Sequence, residues 1–341
     1  MEKRIKRNNK IPRKWIKQAL STTLAVLFFV ITINYINDPL WVFNKENFTN
    51  KNRIGFNERQ QKSNLIYFSG RDYDSVLVGN SKSTYINQYK FEPGKLFNYS
   101  VSAMNIGEYE GYINFFKKTT KNEPKYIIFG VDFVTCLGNK TINFNQDEES
   151  NSAYQDPKFY TNDTSSKLYK FKHLLSYDTF MYSLRNFAMS LDRKKTLYDQ
   201  HNVKVKVGFK QSEESNLQEK LVEILKNPPT TFENGIYNQN LTNILQKIRK
   251  DNPKSKFIVI FLPDFMPVFT INNNKPIYNK CVSELTGIFG EKNIFNFMKL
   301  NEMTVNSNNY YDGAHFRDYI GDFILDKISA EINKNKSDFQ R

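Results

Sequence analysis

Cysteine, histidine and tryptophan are scarce in this chain of 341 residues, which contains two Cys, three His and two Trp. The two cysteines, Cys136 and Cys281, could pair with each other, but a disulfide framework would need more of them. The histidines, His173, His201 and His315, show none of the i, i+4 spacing of a zinc site. The sequence also lacks a P-loop and a G-x-G-x-x-G motif, so we expect neither a metal nor a cofactor.

Acidic residues are outnumbered, and the net charge is +14. Half of this excess lies in the first eighteen residues, which hold eight basic side chains and only Glu2 as an acid. The rest of the chain has no basic stripe interleaved with aromatic residues, which argues against binding to nucleic acid. Hydrophobic residues make up 39% of the chain and aromatic residues 15%, a composition that excludes a fibrous or wholly disordered protein.

Charge is absent from Gln18 to Asn37, and the centre of this segment reads LAVLFFVI. A helix of about twenty residues, at about 1.5 Å each, spans the hydrocarbon core of a bilayer. Trp15 and Trp41 flank the segment, as interfacial aromatic anchors do. We therefore predict a basic tail over residues 1–18 and a transmembrane anchor over 19–37.

The basic tail also predicts the orientation of the anchor. By the positive-inside rule the N-terminus stays in the cytoplasm, and the rest of this single-pass protein lies outside the cell membrane. A cleavable signal peptide is the alternative, and it is disfavoured because no A-x-A-like cleavage site follows the apolar run. A buried core helix is disfavoured by the eight neighbouring cations.

The extracytoplasmic part alternates apolar strands with helical patterns. We interpret residues 38–69 as a polar stalk and 70–335 as one α/β domain with a parallel central sheet covered on both faces. Two polar segments interrupt it, 143–156 and 203–238, which we interpret as loops or an inserted helical pair, with the second as an insertion. Strands are predicted at 75–78, 96–99, 126–131 and 257–262, and helices at 106–118, 177–191, 216–226, 239–250, 276–289 and 316–333.

The first chemical motif follows the first predicted strand and reads Gly79-Asn80-Ser81-Lys82-Ser83. A serine that leaves a strand and enters a helix lies where open α/β sheets bind ligands, with backbone N–H groups near a developing oxyanion. The alternative is that Asn80 or Ser81 only caps the following helix.

The second motif, Asp312-Gly313-Ala314-His315, precedes the last predicted helix. One turn brings the Asp312 carboxylate to Nδ1 of His315, which leaves Nε2 free to take a proton from Ser81. This places a nucleophile, a base and an orienting acid in the order Ser, Asp, His. The α/β-hydrolase order is the same, but that fold needs G-x-S-x-G and places Asp and His on separate loops.

These two motifs resemble the first and last blocks of the SGNH (GDSL-like) hydrolase superfamily, Gly-Asp-Ser and Asp-x-x-His, and the resemblance covers roughly residues 72–332. More narrowly, the chain is similar to a membrane-anchored branch that includes exopolysaccharide O-acetylation proteins and the D-alanyl transfer protein of the teichoic-acid system. The resemblance implies an SGNH-type three-layer sandwich. It also implies that Ser81, Asp312 and His315 are the catalytic residues.

The chain departs from the superfamily at the two blocks that supply the oxyanion hole. Ser100 or Ser102 stands where the second block supplies a glycine N–H, and a backbone donor survives that replacement. Asp132 stands where the third block supplies an asparagine side chain. An ionised Asp132 would oppose an oxyanion, so we expect it to be protonated, to bind an acceptor hydroxyl, or to orient Lys82. Asn80 and Lys82 complete the substrate-site candidates.

The function implied by the resemblance is acyl transfer, with acetyl as the expected group, to hydroxyls of a cell-surface glycan through a seryl ester. The implied acyl donor is a multi-span membrane-bound O-acyltransferase. A carbohydrate esterase is the alternative in the same chemistry, because water or a sugar hydroxyl can reach the acyl-enzyme. A non-catalytic scaffold of a polysaccharide modification or export complex is the alternative of another class, favoured if Asp132 is ionised and points into the site.

Overall fold

The computed structural model describes residues 13–43, 53–68, 72–138, 166–191, 196–199, 202–206, 219, 222–223, 226–227, 236–267, 275–312 and 314–338. The segment 143–156, most of the helix predicted at 216–226, and His201 lie outside the described residues. The helices are α1 (Arg13–Asn37), α2 (Glu58–Phe68), α3 (Tyr109–Thr120), α4 (Phe133–Cys136), α5 (Tyr169–Leu175), α6 (Tyr177–Leu191), α7 (Gln239–Asp251), α8 (Lys275–Phe289), α9 (Glu302–Val305) and α10 (Asp318–Asp338). The strands are β1 (Ser75–Gly79), β2 (Leu96–Asn98), β3 (Tyr126–Val131), β4 (Leu137–Gly138), β5 (Thr196–Tyr198), β6 (Lys204–Lys206), β7 (Ile236–Tyr237), β8 (Lys256–Phe261) and β9 (Ile294–Asn296).

A five-stranded sheet in the order β2-β1-β3-β8-β9 forms the centre of the domain, and all its neighbouring strands are parallel. Because successive side chains of a strand point to opposite faces, Val76 and Leu77 of β1 belong to two different core clusters. The first cluster packs the sheet against α3, α7 and α8, and the second packs it against α10. Both faces of the sheet are therefore covered, as its near-continuous apolar strands require.

The predicted α/β class with a parallel sheet is confirmed, and each of the four predicted strands is present. The fifth, β9, was missed because three residues, Ile294–Asn296, are too short to stand out as an apolar run. The helix predicted at 177–191 matches α6, and those at 239–250 and 276–289 match α7 and α8 within one residue.

The first helix, α1, is long and apolar enough to cross a membrane once. Most of its apolar side chains are exposed, including Leu24 and Phe28. The chain is thus consistent with a single-pass membrane protein.

The predicted stalk is wrong for the residues of 38–69 that the structure describes. Leu40, Trp41 and Val42 are buried, and α2 packs into the domain. Trp41 is therefore a core residue and not an interfacial anchor, and its ring lies edge-on to Tyr198 with 5.4 Å between centroids. The domain begins directly where α1 ends.

The ends of the predicted insertion, 203–238, are strands where the structure describes them. Residues 204–206 form β6, which pairs with β5, and 236–237 form β7, which pairs with β4. Close to β4, Cys136 and Cys281 form a disulfide that joins α4 to α8 across 145 positions of sequence.

Candidate active site

The first motif forms a tight turn at the carboxyl end of β1. The Asn80 side-chain oxygen accepts the Lys82 N–H at 3.1 Å, which closes an Asx turn around Ser81. Thr84 donates to the Ser81 carbonyl through its N–H at 3.3 Å and its hydroxyl at 2.5 Å. Of the two capping candidates, Asn80 therefore makes the local bond, and the partly exposed Ser81 hydroxyl is left for another partner.

The predicted helix after Ser81 is absent, and a single 3₁₀ turn over Ser83–Tyr85 takes its place. A turn of three residues has almost no dipole, so a helix N-terminus is not what would stabilise an oxyanion here. The Ser81 N–H has no hydrogen-bond partner among the residues that the structure describes. It is therefore the one predicted backbone donor that is free.

Close packing of two glycines fixes the direction of this turn. Gly79 and Gly130 are register partners in β1 and β3, and the Ser83 side chain lies against both. An added Cβ would lie 2.2 Å from Ser83 Oγ at Gly79 and 2.0 Å at Gly130. Neither position tolerates a side chain unless Ser83 moves, and Ser83 is two residues from Ser81.

The second motif forms a closed turn before α10. Tyr310 and Phe316, both buried, pair in an antiparallel bridge, and the Tyr311 N–H donates to the His315 carbonyl at 2.8 Å. Within this turn the Asp312 carboxylate accepts the backbone N–H of His315 at 2.7 Å. The local hydrogen bonds thus hold Asp312 and His315 in one orientation.

The sheet brings the two motifs together across 234 positions of sequence. Ser81 Oγ lies 2.8 Å from His315 Nε2, and His315 Nδ1 lies 3.0 Å from each oxygen of the Asp312 carboxylate. The His315 side chain keeps 29% of its surface exposed and Asp312 keeps 43%, so a substrate can reach the site. These distances are those of a serine nucleophile, a base and an orienting carboxylate.

The environment of Asp312 favours its ionised form. Burial opposes the charge, but the hydrogen bonds and charge interaction with His315, and the backbone N–H groups of His315 and Ala314, outweigh burial and hold the pKa of Asp312 well below its usual range. An ionised Asp312 accepts the Nδ1–H of His315 and stabilises the imidazolium that forms when Nε2 takes a proton.

The Lys82 side chain is buried next to the nucleophile, between two carboxylates. Its Nζ lies 3.2 Å from Asp132 Oδ2 and donates a hydrogen bond to Asp264. Burial works against the charge, but the two carboxylates outweigh it and raise the pKa of Lys82. A lysine held as a cation cannot act as the base for Ser81, which leaves that role to His315.

The surroundings of Asp132 favour its ionised form. One of its oxygens accepts the N–H and the hydroxyl of Thr135 at 2.8 and 2.6 Å, which caps α4. Burial raises the pKa of Asp132, but Lys82, Thr135 and the Asn80 side chain together lower it below the usual value. This arrangement disfavours a protonated Asp132 and is consistent with the predicted orientation of Lys82, and the binding of an acceptor hydroxyl stays a prediction.

Asp264 is the site residue that the sequence analysis missed. It follows the carboxyl end of β8, the sheet edge at which Ser81 and Asp132 also lie. Burial and the neighbouring Asp132 raise the pKa of Asp264, although Lys82 and His315 act in the opposite sense. The only signal for Asp264 in the sequence is its position just after the strand predicted at 257–262.

The second-block candidates, Ser100 and Ser102, lie beside the nucleophile turn, because the Val101 N–H donates to the Gly79 carbonyl at 3.2 Å. Their N–H groups are not free, however. The Ser100 N–H donates to the Asn98 side chain at 3.0 Å, and the Ser102 N–H donates to the Glu58 carboxylate. The expectation that one of them is an oxyanion donor does not fit this arrangement.

A buried charge cluster made of Glu58, Lys62 and Lys204 holds the Ser102 segment. Lys204 Nζ donates to Glu58 at 2.9 Å and to the Ser102 hydroxyl at 2.8 Å. Lys62 is fully buried and donates to the Asn98 carbonyl at 3.0 Å. Burial, aided by Lys204 and opposed by Glu58, lowers the pKa of Lys62 to about 7.

The arrangement as a whole can activate Ser81 for attack on a carbonyl, hold the imidazolium, and offer the Ser81 N–H to the resulting oxyanion. Comparison with known proteins identifies no family for this chain, since no family model matches it and no curated protein does.

Proposed function

We propose that this protein is a membrane-anchored serine acyltransferase that works through a covalent seryl ester. The observation that carries the proposal is the hydrogen-bonded series Ser81, His315, Asp312, which two distant motifs build at one edge of the sheet. A scaffold protein has no need of a partly exposed serine 2.8 Å from an imidazole that is itself oriented by an ionised acid. The scaffold alternative is further weakened because the charge of Asp132 is matched by Lys82.

The proposed reaction has two half-reactions. In the first, His315 Nε2 takes the Ser81 hydroxyl proton while Oγ bonds to the acyl carbonyl carbon. The carbonyl oxygen bears the negative charge near the Ser81 N–H until the bond to the donor breaks and His315 returns the proton to the leaving group. In the second, His315 deprotonates an acceptor hydroxyl, which attacks the seryl ester. Ser81 then recovers its proton, and the acyl group leaves as a new ester.

The acyl group is proposed to be acetyl and the acceptor a hydroxyl of a cell-surface polysaccharide. This follows from the resemblance of Gly79-Asn80-Ser81 and of Asp312 to His315 to the membrane-anchored SGNH-like branch. In that branch a multi-span membrane-bound O-acyltransferase supplies the acyl group, and we propose the same kind of donor here.

The domain is proposed to lie outside the cytoplasm, with the N-terminus inside. The basic residues before α1 support this orientation. The Cys136–Cys281 disulfide supports it independently, since disulfides persist in oxidising compartments.

The experiment is to treat the purified full chain with a fluorophosphonate probe and map the label by mass spectrometry. Labelling at Ser81 that is lost in Ser81→Ala and His315→Ala supports the seryl mechanism. Each substitution should lower the labelling rate by about 10⁴-fold or more, and the double variant should be hardly slower than either single one. Ser283→Ala, at an exposed position of α8, is the control and should label normally.

A chemical acetyl donor then separates transfer from hydrolysis. Ester formed on a polysaccharide or oligosaccharide acceptor, in competition with water, supports the transferase. Release of free acetate that no acceptor diverts supports the esterase alternative. A chain that folds and is labelled at no serine contradicts both and leaves the scaffold.

A further inference from the structure

Helix α6 has its polar and apolar faces reversed relative to a helix of a water-soluble domain. The buried face consists of Thr179, Ser183 and Asn186, each under 5% exposed. The outward face consists of large apolar side chains that are 41–71% exposed, namely Tyr177, Met181, Leu184 and Phe187. Their spacing of three to four residues places them on one side of the helix.

The buried polar face of α6 makes specific hydrogen bonds to other parts of the fold. The Ser183 hydroxyl donates to the Asn34 side chain of α1 at 3.0 Å, and the Asn186 side chain accepts the Ile54 N–H at 3.0 Å. Thr179 lies 3.4 Å from the His173 ring. These bonds fix the rotation of α6, so its apolar face is held outward by the fold.

Helix α5, which leads into α6, continues the apolar surface. Leu168, Phe171 and Leu175 are 53–63% exposed and spaced by three and four residues. We call α5 and α6 together, residues 168–191, the flanking hairpin. Scattered exposed apolar residues are normal on a protein surface, but a continuous set along two adjacent helices marks a binding surface.

Contacts with α1 fix the position of the flanking hairpin along the axis of α1. The Asn34 amide donates to the carbonyls of Leu174 at 3.0 Å and Ser176 at 3.3 Å, which lie at the junction of α5 and α6. Further along α1, Phe29 contacts Phe180 of α6 edge-on, with 6.3 Å between ring centroids.

These contacts lie inside the uncharged segment 18–37 of α1. At 1.5 Å per residue, Phe29 lies about 12 Å before the end of that segment and Asn34 about 5 Å before it. The uncharged segment needs most of its length to span the hydrocarbon core of about 30 Å. Any element that packs against Phe29 is therefore below the level of the headgroups.

We propose that the flanking hairpin lies in the outer part of the same bilayer that α1 crosses, with its apolar face toward the lipid. The occupant of this face is phospholipid, because the face points outward at the depth at which α1 itself is surrounded by acyl chains. The hairpin adds a second membrane contact, so the domain cannot swing freely about one helix. It holds the sheet, and with it Ser81, at a fixed distance from the membrane surface.

The charges of the hairpin fit a phospholipid interface. The hairpin has three basic residues, Lys170, Lys172 and Arg185, and one acidic residue, Asp178, and Lys167 directly precedes it. The ammonium group of Lys170 is held beside the hairpin by cation–π contacts, with Nζ 4.5 Å from the centroid of the Phe68 ring and 5.8 Å from that of Phe43. Amphipathic helices with cations beside an apolar face bind anionic bilayer surfaces in this way.

The test uses the full chain in vesicles of phosphatidylcholine and phosphatidylglycerol. Cys136 and Cys281 are bonded, so a single introduced cysteine carries a nitroxide label selectively. Met181→Cys, Leu184→Cys and Phe171→Cys report the hairpin, and Leu300→Cys, at an exposed position outside it, is the matched control. For each label, collisions with oxygen, which dissolves in lipid, are compared with collisions with a nickel chelate, which stays in water.

We expect the ratio of oxygen to nickel collisions to be several-fold higher at the three hairpin positions than at position 300. Nickel collisions at position 181 as frequent as at position 300 would place the hairpin in water and overturn the proposal. Protection that arises only when a second membrane protein is added would also overturn it, since the face would then be covered by protein. Neither result depends on acyl transfer, and circular dichroism checks that each labelled chain is folded.

Discussion

Lys82 Nζ lies 3.2 Å from Asp132 Oδ2, and Lys82 directly follows the nucleophile in the sequence. Asp264 completes the group from the next strand, so one buried cation joins the ends of β1, β3 and β8. The backbone of Ser81 is thereby tied to two neighbouring strands through the residue beside it. We therefore propose that Lys82, which is buried, positions Ser81 and does not contact a substrate.

Replacing Lys82 with methionine should therefore slow the labelling of Ser81. Met has a similar length, but Asp132 and Asp264 would be left as two buried carboxylates with no cation between them. We expect a loss of about 3–5 kcal/mol in the free energy of unfolding. A displacement of Ser81 by about 1 Å should lower the labelling rate by about 10²-fold. Denaturant titration and fluorophosphonate kinetics measure the two effects separately.

Asp132→Asn is the milder partner variant. Its amide oxygen can still accept from Thr135, and Asp264 still neutralises Lys82, so labelling should fall less than in Lys82→Met. A Lys82→Met chain that is destabilised but labels at the normal rate would show that the ion group stabilises the fold without positioning Ser81.

Gly130 offers a test of the turn geometry. In Gly130→Ala the new Cβ would lie 2.0 Å from Ser83 Oγ, so the turn that carries Ser81 must move. We expect a loss of about 1–3 kcal/mol and a clear fall in the labelling rate. Adding Ser83→Gly removes the clashing side chain and should restore part of the rate.

Gly287→Ala is the control for Gly130→Ala, because nothing lies within 4 Å of an added Cβ there. Gly287 lies within α8, where alanine is the better helix former by about 1 kcal/mol. Labelling should be unchanged. If Gly130→Ala labels as fast as this control, the close packing at Ser83 does not position the nucleophile.

The strands could be read from the sequence because they are apolar and β-branched, and the two motifs could be placed because each follows or precedes such an element. Helix α2 could not be read in this way, because four consecutive residues of its buried part are polar, Gln61 to Asn64. Their burial is made possible by hydrogen bonds, since Ser63 pairs with the Tyr99 hydroxyl and the other three donate to backbone carbonyls. Gln61 donates to the Pro39 and Ile54 carbonyls, and Asn64 donates to that of Leu40. Hydrophobic periodicity carries no information about such contacts.

The same limit applies to the candidate site. Ser81, Asp312 and His315 were predicted because their chemistry and local spacing are recognisable in the sequence. Asp264 and the carboxylate of Glu58 belong to the site only through contacts across the fold, to Lys82 and Ser102 respectively. Their only local signal, a single acid after a strand or at a helix start, is too common to single them out.

Asp312→Asn tests the role of the orienting acid. The asparagine oxygen can still accept the backbone N–H groups of Ala314 and His315, so the turn and the stability should be preserved. Its NH₂ group would donate to His315 Nδ1 and leave the ring proton on Nε2, where it cannot accept from Ser81. We expect a fall of about 10⁴-fold in the labelling rate with unchanged thermal unfolding. A fall of less than tenfold would show that Asp312 does not set the tautomer.

The buried Lys62 should make the free energy of unfolding depend on pH, independently of Ser81, His315 and Asp312. Its pKa falls from 10.5 to about 7 on folding, chiefly because the side chain is buried. Between these two values the unfolded chain holds a proton that the folded chain has lost, so the free energy of unfolding rises with pH across that range. The slope approaches about 1.4 kcal/mol per pH unit, and the gain is complete only above the unfolded pKa.

Comparison with Lys62→Met isolates this contribution, since methionine fills similar space and does not titrate. Below pH of about 7 both states of Lys62 are protonated, and wild type bears the full cost of a buried charge. From there to a pH of about 10 the stability of wild type should gain on that of the variant by a few kcal/mol, measured by urea denaturation in detergent micelles. The Lys62→Met curve loses one hydrogen bond to the Asn98 carbonyl, which shifts it by an amount that does not depend on pH. Two curves that run parallel from pH 6 to pH 10 would mean that Lys62 keeps its ordinary pKa, and the buried cluster would then carry its full positive charge at neutral pH.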